Sequence, residues 1–318
     1  MNYKMMGKFI SQILFVEAAF MLPALLISVL ERNIPGIWGF ALSIVITAAV
    51  ASVLYALCRH AVRRFYAREG LVCVGMSWIF MSLLGCLPFF ISGEIPNFLD
   101  ALFEIVSGFT TTGASILSNV EGLSKGILYW RSFSHWLGGM GVLVFLLAVG
   151  ERGDKGSGFT LHLLRAESPG PTVGKLVPKM RTTARILYMM YILLTILNII
   201  FLLFGGMSLF EAVCTAMGTA GTGGFGIKND SMASYSHYIQ TVVTIFMALF
   251  GVNFIIYYYI LLGKPSQIFC NEELRLYLFI LLAATLLISF NTISFYHSFP
   301  EALHHSAFQV SSIMTTTG

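Results

Sequence analysis

Phe103-Glu104-Ile105-Val106-Ser107-Gly108-Phe109-Thr110-Thr111-Thr112-Gly113 returns near the end of the chain as Phe308-Gln309-Val310-Ser311-Ser312-Ile313-Met314-Thr315-Thr316-Thr317-Gly318. Counted back from the glycine, Phe, Glu/Gln, Ser and the three threonines coincide. A looser copy, Gly218-Thr219-Ala220-Gly221-Thr222-Gly223-Gly224-Phe225, agrees only at Thr-Gly, which sets Ala220, Gly221, Thr222 and Gly223 opposite Thr110–Gly113. One Thr-Thr-Thr-Gly is an ordinary polar turn. Related copies, each after a short amphipathic stretch, mark a repeated structural unit.

The chain around these segments is very apolar. Of 318 residues, 57% are hydrophobic and 11% charged, and mean hydropathy is +0.80. A soluble domain carries about 25% charged residues, so lipid must cover part of this surface. Apolar runs near 9–30, 37–57, 71–92, 127–149, 184–205, 238–262 and 274–296 are each close to the roughly 20 residues that cross a bilayer core. The run 98–112 is shorter and more polar. The first run lacks a small-residue cleavage site and reads as a retained helix. Cys58, Cys73, Cys86, Cys214 and Cys270 share no metal-ligand spacing and read as small apolar residues.

Basic residues alternate between loops. Lys4, Lys8, Arg59, Arg63, Arg64, Arg68, Arg152, Lys155, Arg165, Lys175, Lys179, Arg181, Arg185, Lys264 and Arg275 fall in one set, 15 of 19. Arg32, Lys125, Arg131 and Lys228 fall in the other. The positive-inside rule then places the N-terminus in the cytoplasm. The basic loops share a side only if 98–112 enters and leaves the membrane on the same face. Seven spans and three re-entrant half-helices follow.

A half-helix of ten to twelve residues reaches about halfway across a core of about 30 Å. Its carboxyl end carries the negative end of the helix dipole, which favours a cation at mid-membrane. The returning chain has free carbonyls, tolerable only where they line an aqueous path. Such carbonyls replace the water shell of a dehydrated cation. Threonine adds hydroxyl oxygens, and glycine permits the backbone angles that aim carbonyls inward.

Thr110-Thr111-Thr112-Gly113-Ala114-Ser115, Thr222-Gly223-Gly224-Phe225 and Thr315-Thr316-Thr317-Gly318 resemble the filter loops of the Trk/Ktr/HKT superfamily of potassium transporters, most closely its TrkH branch. His135-Trp136-Leu137-Gly138-Gly139-Met140-Gly141, Gly251-Val252-Asn253-Phe254 and the extra pair of spans before the first repeat resemble that branch too. The resemblance implies an all-α membrane protein, a helical bundle of span–re-entrant loop–span repeats around a potassium-channel-like pseudo-fourfold pore. It implies potassium uptake across the cytoplasmic (inner) membrane through a backbone-carbonyl selectivity filter. The expected ion-binding residues are Thr110, Thr111, Thr112, Gly113, Ala220, Gly221, Thr222, Gly223, Thr315, Thr316, Thr317 and Gly318. In some plant relatives serine replaces the first filter glycine and sodium is favoured; Gly113 points to potassium. The resemblance further implies a homodimer and a cytosolic TrkA-like nucleotide-binding regulatory subunit, with membrane lipid as the surrounding partner.

The expected organisation is an N-terminal hairpin with its basic loop (1–70), pore repeat 1 (71–150), a cytosolic linker (151–183), pore repeat 2 (184–263) and part of repeat 3 (264–318). Against the family pattern the fourth repeat is absent, so the pore is expected to be incomplete and the chain a fragment or truncated product. The alternative function is a truncated, non-transporting membrane partner that modulates an intact homologue.

No acid–base or metal constellation supports an enzyme, and no cofactor or nucleic-acid partner is expected. His304 and His305 are neighbours that point about 100° apart on a helix and suit a shared metal poorly. Asp154-Lys155-Gly156-Ser157-Gly158 lacks the ending of a phosphate loop. Glu17, Asn198, Asn253 and Asn291 lie in apolar runs and read as helix-packing groups. Glu104, Glu211 and Gln309 are candidates to brace the loops or charge the vestibule.

Overall fold

The computed structural model describes residues 2–60, 67–141, 180–261 and 270–318, with Gly263 and Ser266. Most of the expected linker 151–183, the end of the fourth apolar run (142–149), and Arg63, Arg64 and Lys264 lie outside the described residues. All regular structure among the described residues is helical.

The helix starts are written locally. Asn33, Asn97, Ser236 and Asn271 each accept a backbone N–H of the first turn through the side chain. Ser208 and Glu211 form a reciprocal capping box. Pro23, Pro35, Pro88 and Pro300 sit in first turns, where no helical N–H is lost.

The first run forms α1 (Tyr3–Phe20) and α2 (Leu22–Leu30), which together make one membrane-length stretch. Then come α3 (Ile34–Cys58), α4 (Ala67–Gly85) and the short α5 (Leu87–Ile91). The half-helix α6 (Phe98–Phe109) leads through the first Thr/Gly loop to α7 (Lys125–Met140). A second set follows: α8 (Met180–Phe204), half-helix α9 (Leu209–Ala220), and α10 (His237–Phe250) with α11 (Phe254–Leu261). The third holds α12 (Glu272–Tyr296) and half-helix α13 (Phe299–Met314). Among the described residues, five stretches are long and apolar enough to cross a membrane, and the bent pair α10 and α11 makes a sixth if it counts as one span.

Two expectations need correction. The run 238–262 is not a straight span: α10 and α11 meet at 92°, broken at Gly251–Asn253. At the break the Tyr257 and Tyr277 hydroxyls donate to the Leu249 and Ala248 carbonyls, and the Val252 N–H also reaches Leu249. Arg131, counted with the loop charges, lies inside α7 and is buried.

Packing divides into two cores. Ile13, Phe40, Phe89, Ile105, Phe109, Trp130 and Leu137 gather α1 to α7. Tyr188, Tyr191, Ala216, Val243 and Phe250 gather α8 to α10. Trp136 packs against both, and its indole N–H donates to Thr195 while Tyr191 donates to its carbonyl. Leu57, Phe204, Leu287 and Phe295 are left bare, as in a bundle whose solvent is lipid.

Candidate functional site: three Thr/Gly loops

The half-helices α6, α9 and α13 end in the same hydrogen-bonded cap. Thr110, Gly221 and Thr315 follow the last helical residue, and each backbone N–H donates four residues back, to Val106, Met217 and Ser311. The next N–H groups, of Thr111, Thr222 and Thr316, reach Gly108, Thr219 and Ile313; those of Thr112, Gly223 and Thr317 reach Ser107, Gly218 and Ser312 at 2.9, 3.1 and 2.8 Å. This is the Schellman closure, whose pivot adopts a left-handed conformation usually given to glycine. Here the pivot is threonine all three times, with φ of 54°, 52° and 59° at Thr111, Thr222 and Thr316. A β-branched residue there is strained by roughly 1–3 kcal/mol. Gly113, Gly224 and Gly318 also share positive φ, 76°, 72° and 88°.

The backbone therefore corrects the register read from sequence. Gly224, not Gly223, is the counterpart of Gly113 and Gly318. Ala220 ends α9, as Phe109 ends α6 and Met314 ends α13. The second loop comprises Gly221, Thr222, Gly223 and Gly224.

His135 explains why this copy diverges. In the first loop the hydroxyls of Thr110 and Thr112 pair at 2.8 Å, and Thr315 with Thr317 do the same in the third. Glycine stands at both corresponding places in the second. A methyl group on Gly221 would run into the His135 backbone, and one on Gly223 into its ring. The Phe225 N–H donates to His135 Nδ1 at 3.3 Å, and the two rings stack 3.9 Å apart. That bond leaves the imidazole proton on Nε2. Gly138 and Gly139 continue the seam: a methyl on either would strike the Phe109 carbonyl or the Gly221 backbone. Close helix approach is thus the part these glycines play.

The three loops meet. The space of a methyl at Gly113 is taken by the Gly223 carbonyl oxygen, with that of Thr317 at 4.0 Å. The space of a methyl at Gly224 is taken by the Thr317 carbonyl oxygen. The same contact, glycine against the carbonyl that precedes the next loop's glycine, occurs twice in succession. Behind the first loop, Glu104 accepts from Ser115 and from the Ile116 N–H and is paired with Arg131. Beyond the loops, Asn229 joins the two outgoing chains. It accepts from Val120 N–H at 2.7 Å and donates to Glu121 and Asn119 at 3.0 Å each.

Of the other candidates, Glu104 does brace a loop, whereas Glu211 caps α9. Glu17 and Asn198 are fully buried, and no hydrogen bond satisfies their side chains among the described residues. Asn253 donates to Glu273 at the bend. The His304-His305 pair acquires a third ring, His237, stacked on His304 at 4.7 Å. No cluster among the described residues could hold a metal ion. Arg131 and His135 were missed in their present roles. Their four-residue spacing, which puts both on one face of α7, was the available signal.

The sequence profile described as "TrkH: Cation transport protein" matches residues 38–299. The Trk system potassium uptake protein TrkH of Salmonella typhimurium is 31% identical over all of this chain, which covers 66% of that protein. The TrkG protein of Escherichia coli is 32% identical over 94% of the chain and 62% of its own length. The crystal structure of the potassium transporter TrkH from Vibrio parahaemolyticus superposes with a TM-score of 0.86 at 26% identity, over all of this chain and 65% of that one. The chain thus spans about two thirds of the length of these relatives.

Proposed function

The chain belongs to the TrkH family of cation transport proteins, and from that membership we propose that it carries potassium into the cell as the translocating subunit of a Trk-type system. The ion path is lined by Thr110–Gly113, Gly221–Gly224 and Thr315–Gly318. The observation behind this reading is the threefold recurrence of one strained loop at the ends of three half-helices, with the loops in contact.

The caps use the helix-end carbonyls of Ser107, Gly218 and Ser312 internally. Of the loops' own carbonyls, that of Thr315 accepts from the Thr316 hydroxyl; the others are read as the cation's oxygens, and the three helix dipoles point their negative ends at it. No side chain needs to change protonation, so the protein is read as a transporter and not an enzyme.

By its membership the chain is read as sitting in the inner membrane, and by its basic loops as having a cytosolic N-terminus. By its membership it assembles as a dimer with a TrkA-like nucleotide-binding partner. Repeats 71–150, 184–263 and 264–318 each contribute one loop.

Rubidium uptake tests the reading, in potassium-uptake-deficient cells expressing the chain and in liposomes holding the purified protein. Uptake that potassium blocks and sodium does not is the expected result. Flux that ignores ion identity, or its absence with folded protein in the membrane, would remove the proposal.

A further inference from the structure

We propose that Arg131 is a positioning residue for the ion path: its buried pair with Glu104 locks the chain leaving the second Thr/Gly loop to the half-helix of the first. The proposal rests on reading these loops as an ion path.

Arg131 is 3% exposed and Glu104 fully buried. Arg131 Nε donates to Glu104 Oε1 at 2.5 Å, and Nη1 donates to the Gly226 carbonyl at 2.8 Å. The guanidinium lies 3.5 Å from the centroid of Phe225, a ring that also stacks on His135. Glu104 in turn accepts from Ser115 Oγ at 3.0 Å and from the Ile116 N–H at 3.1 Å. The pair therefore grips the backbone just after Gly113 and just after Gly224, the two glycines that end the first two loops.

Stability does not account for such a pair. Burying two charges costs more than their attraction reliably returns, and a well-packed apolar replacement is often as stable. A guanidinium offers something an apolar group cannot. Its planar fork serves a carboxylate and a carbonyl together while its face lies on an aromatic ring. Here those partners belong to two different repeats, so the spacing between their loops is held by one rigid group. Lysine, a point charge on a flexible stem, cannot make all three contacts.

The test uses Arg131→Lys, which keeps the charge, and the neutral pair Arg131→Met with Glu104→Gln, which leaves no unpaired buried charge. Purified wild type and variants are compared by amide hydrogen exchange and by rubidium and sodium flux in liposomes. Exchange at 113–117 and 223–227 is expected to rise on the order of ten-fold, the size of losing a hydrogen bond from a charged donor. The core helices α1, α3 and α8 should exchange as before. The rubidium-to-sodium ratio should fall by a similar factor.

Unchanged exchange at both segments would overturn the proposal. So would flux that drops equally for both ions in step with the amount of folded protein. A wild type that passes neither ion would refute the ion path itself, and the exchange data would still decide the clamp.

Discussion

The α-carbon of Gly113 lies against the carbonyl oxygen of Gly223, leaving no space for a methyl group. Gly224 bears the same relation to Thr317. Both glycines also hold positive φ, so alanine is refused twice, by its neighbour and by its own backbone. Gly113→Ala and Gly224→Ala should each lower the rubidium-to-sodium flux ratio by about ten-fold or more, at a strain cost of roughly 1–3 kcal/mol. Wild-type ratios in both would show that the loops do not select.

Gly223 is constrained for a different reason. Its φ is not positive, and the obstacle is the His135 ring. Gly223→Ala should therefore be rescued in part by His135→Ala, whereas Gly224→Ala should not. The measurement is a double-mutant cycle on thermal stability, with a coupling energy of about 1 kcal/mol or more. Strict additivity for Gly223 and His135 would contradict the packing argument.

The bend at Gly251 supports the third loop. A methyl there would come within 2.7 Å of the Thr315 methyl and 2.6 Å of the Tyr277 hydroxyl. Gly251→Leu should displace Thr315 and impair flux, with selectivity lost before expression. Gly75→Ala, where a methyl meets nothing within 4 Å, is the matched control and should behave as wild type. Equal effects of the two would separate the bend from the ion path.

Asn229 is the only described residue bonded to Asn119, Val120 and Glu121 together, and it lies clear of the Thr/Gly loops. Asn229→Ala keeps the backbone N–H to Glu121 and removes the side-chain bonds to Val120 and Asn119, so it should cost about 1 kcal/mol of stability, mostly through the Val120 N–H left without a partner. It should also open residues 114–123 to protease while the flux ratio is kept. A protease pattern like that of the wild type would mean the clasp is redundant.

Much of this protein was legible in its residues. Apolar length gave the membrane, alternating basic loops implied half-helices, and the echo between 103–113 and 308–318 disclosed the repeat, because each depends on local chain chemistry. The second loop was read one residue out of register. Thr-Gly is a two-letter match, whereas the register is set by which residue takes the left-handed pivot, and Thr222 takes it against its own preference. Nothing local announces that choice. The bend at Gly251 was likewise hidden in a run apolar enough to be straight.

Sequence alone thus determined which segments are apolar enough to enter a membrane and roughly where the Thr/Gly turns fall, since hydrophobic length and glycine content act within a few residues. Tertiary structure alone decided which turn residues correspond. His135 filling the place of threonine side chains, Arg131 reaching Glu104 and Gly226, and Gly113 resting on Gly223 are contacts between residues far apart in the chain. Their geometry exists only once separate helices have packed.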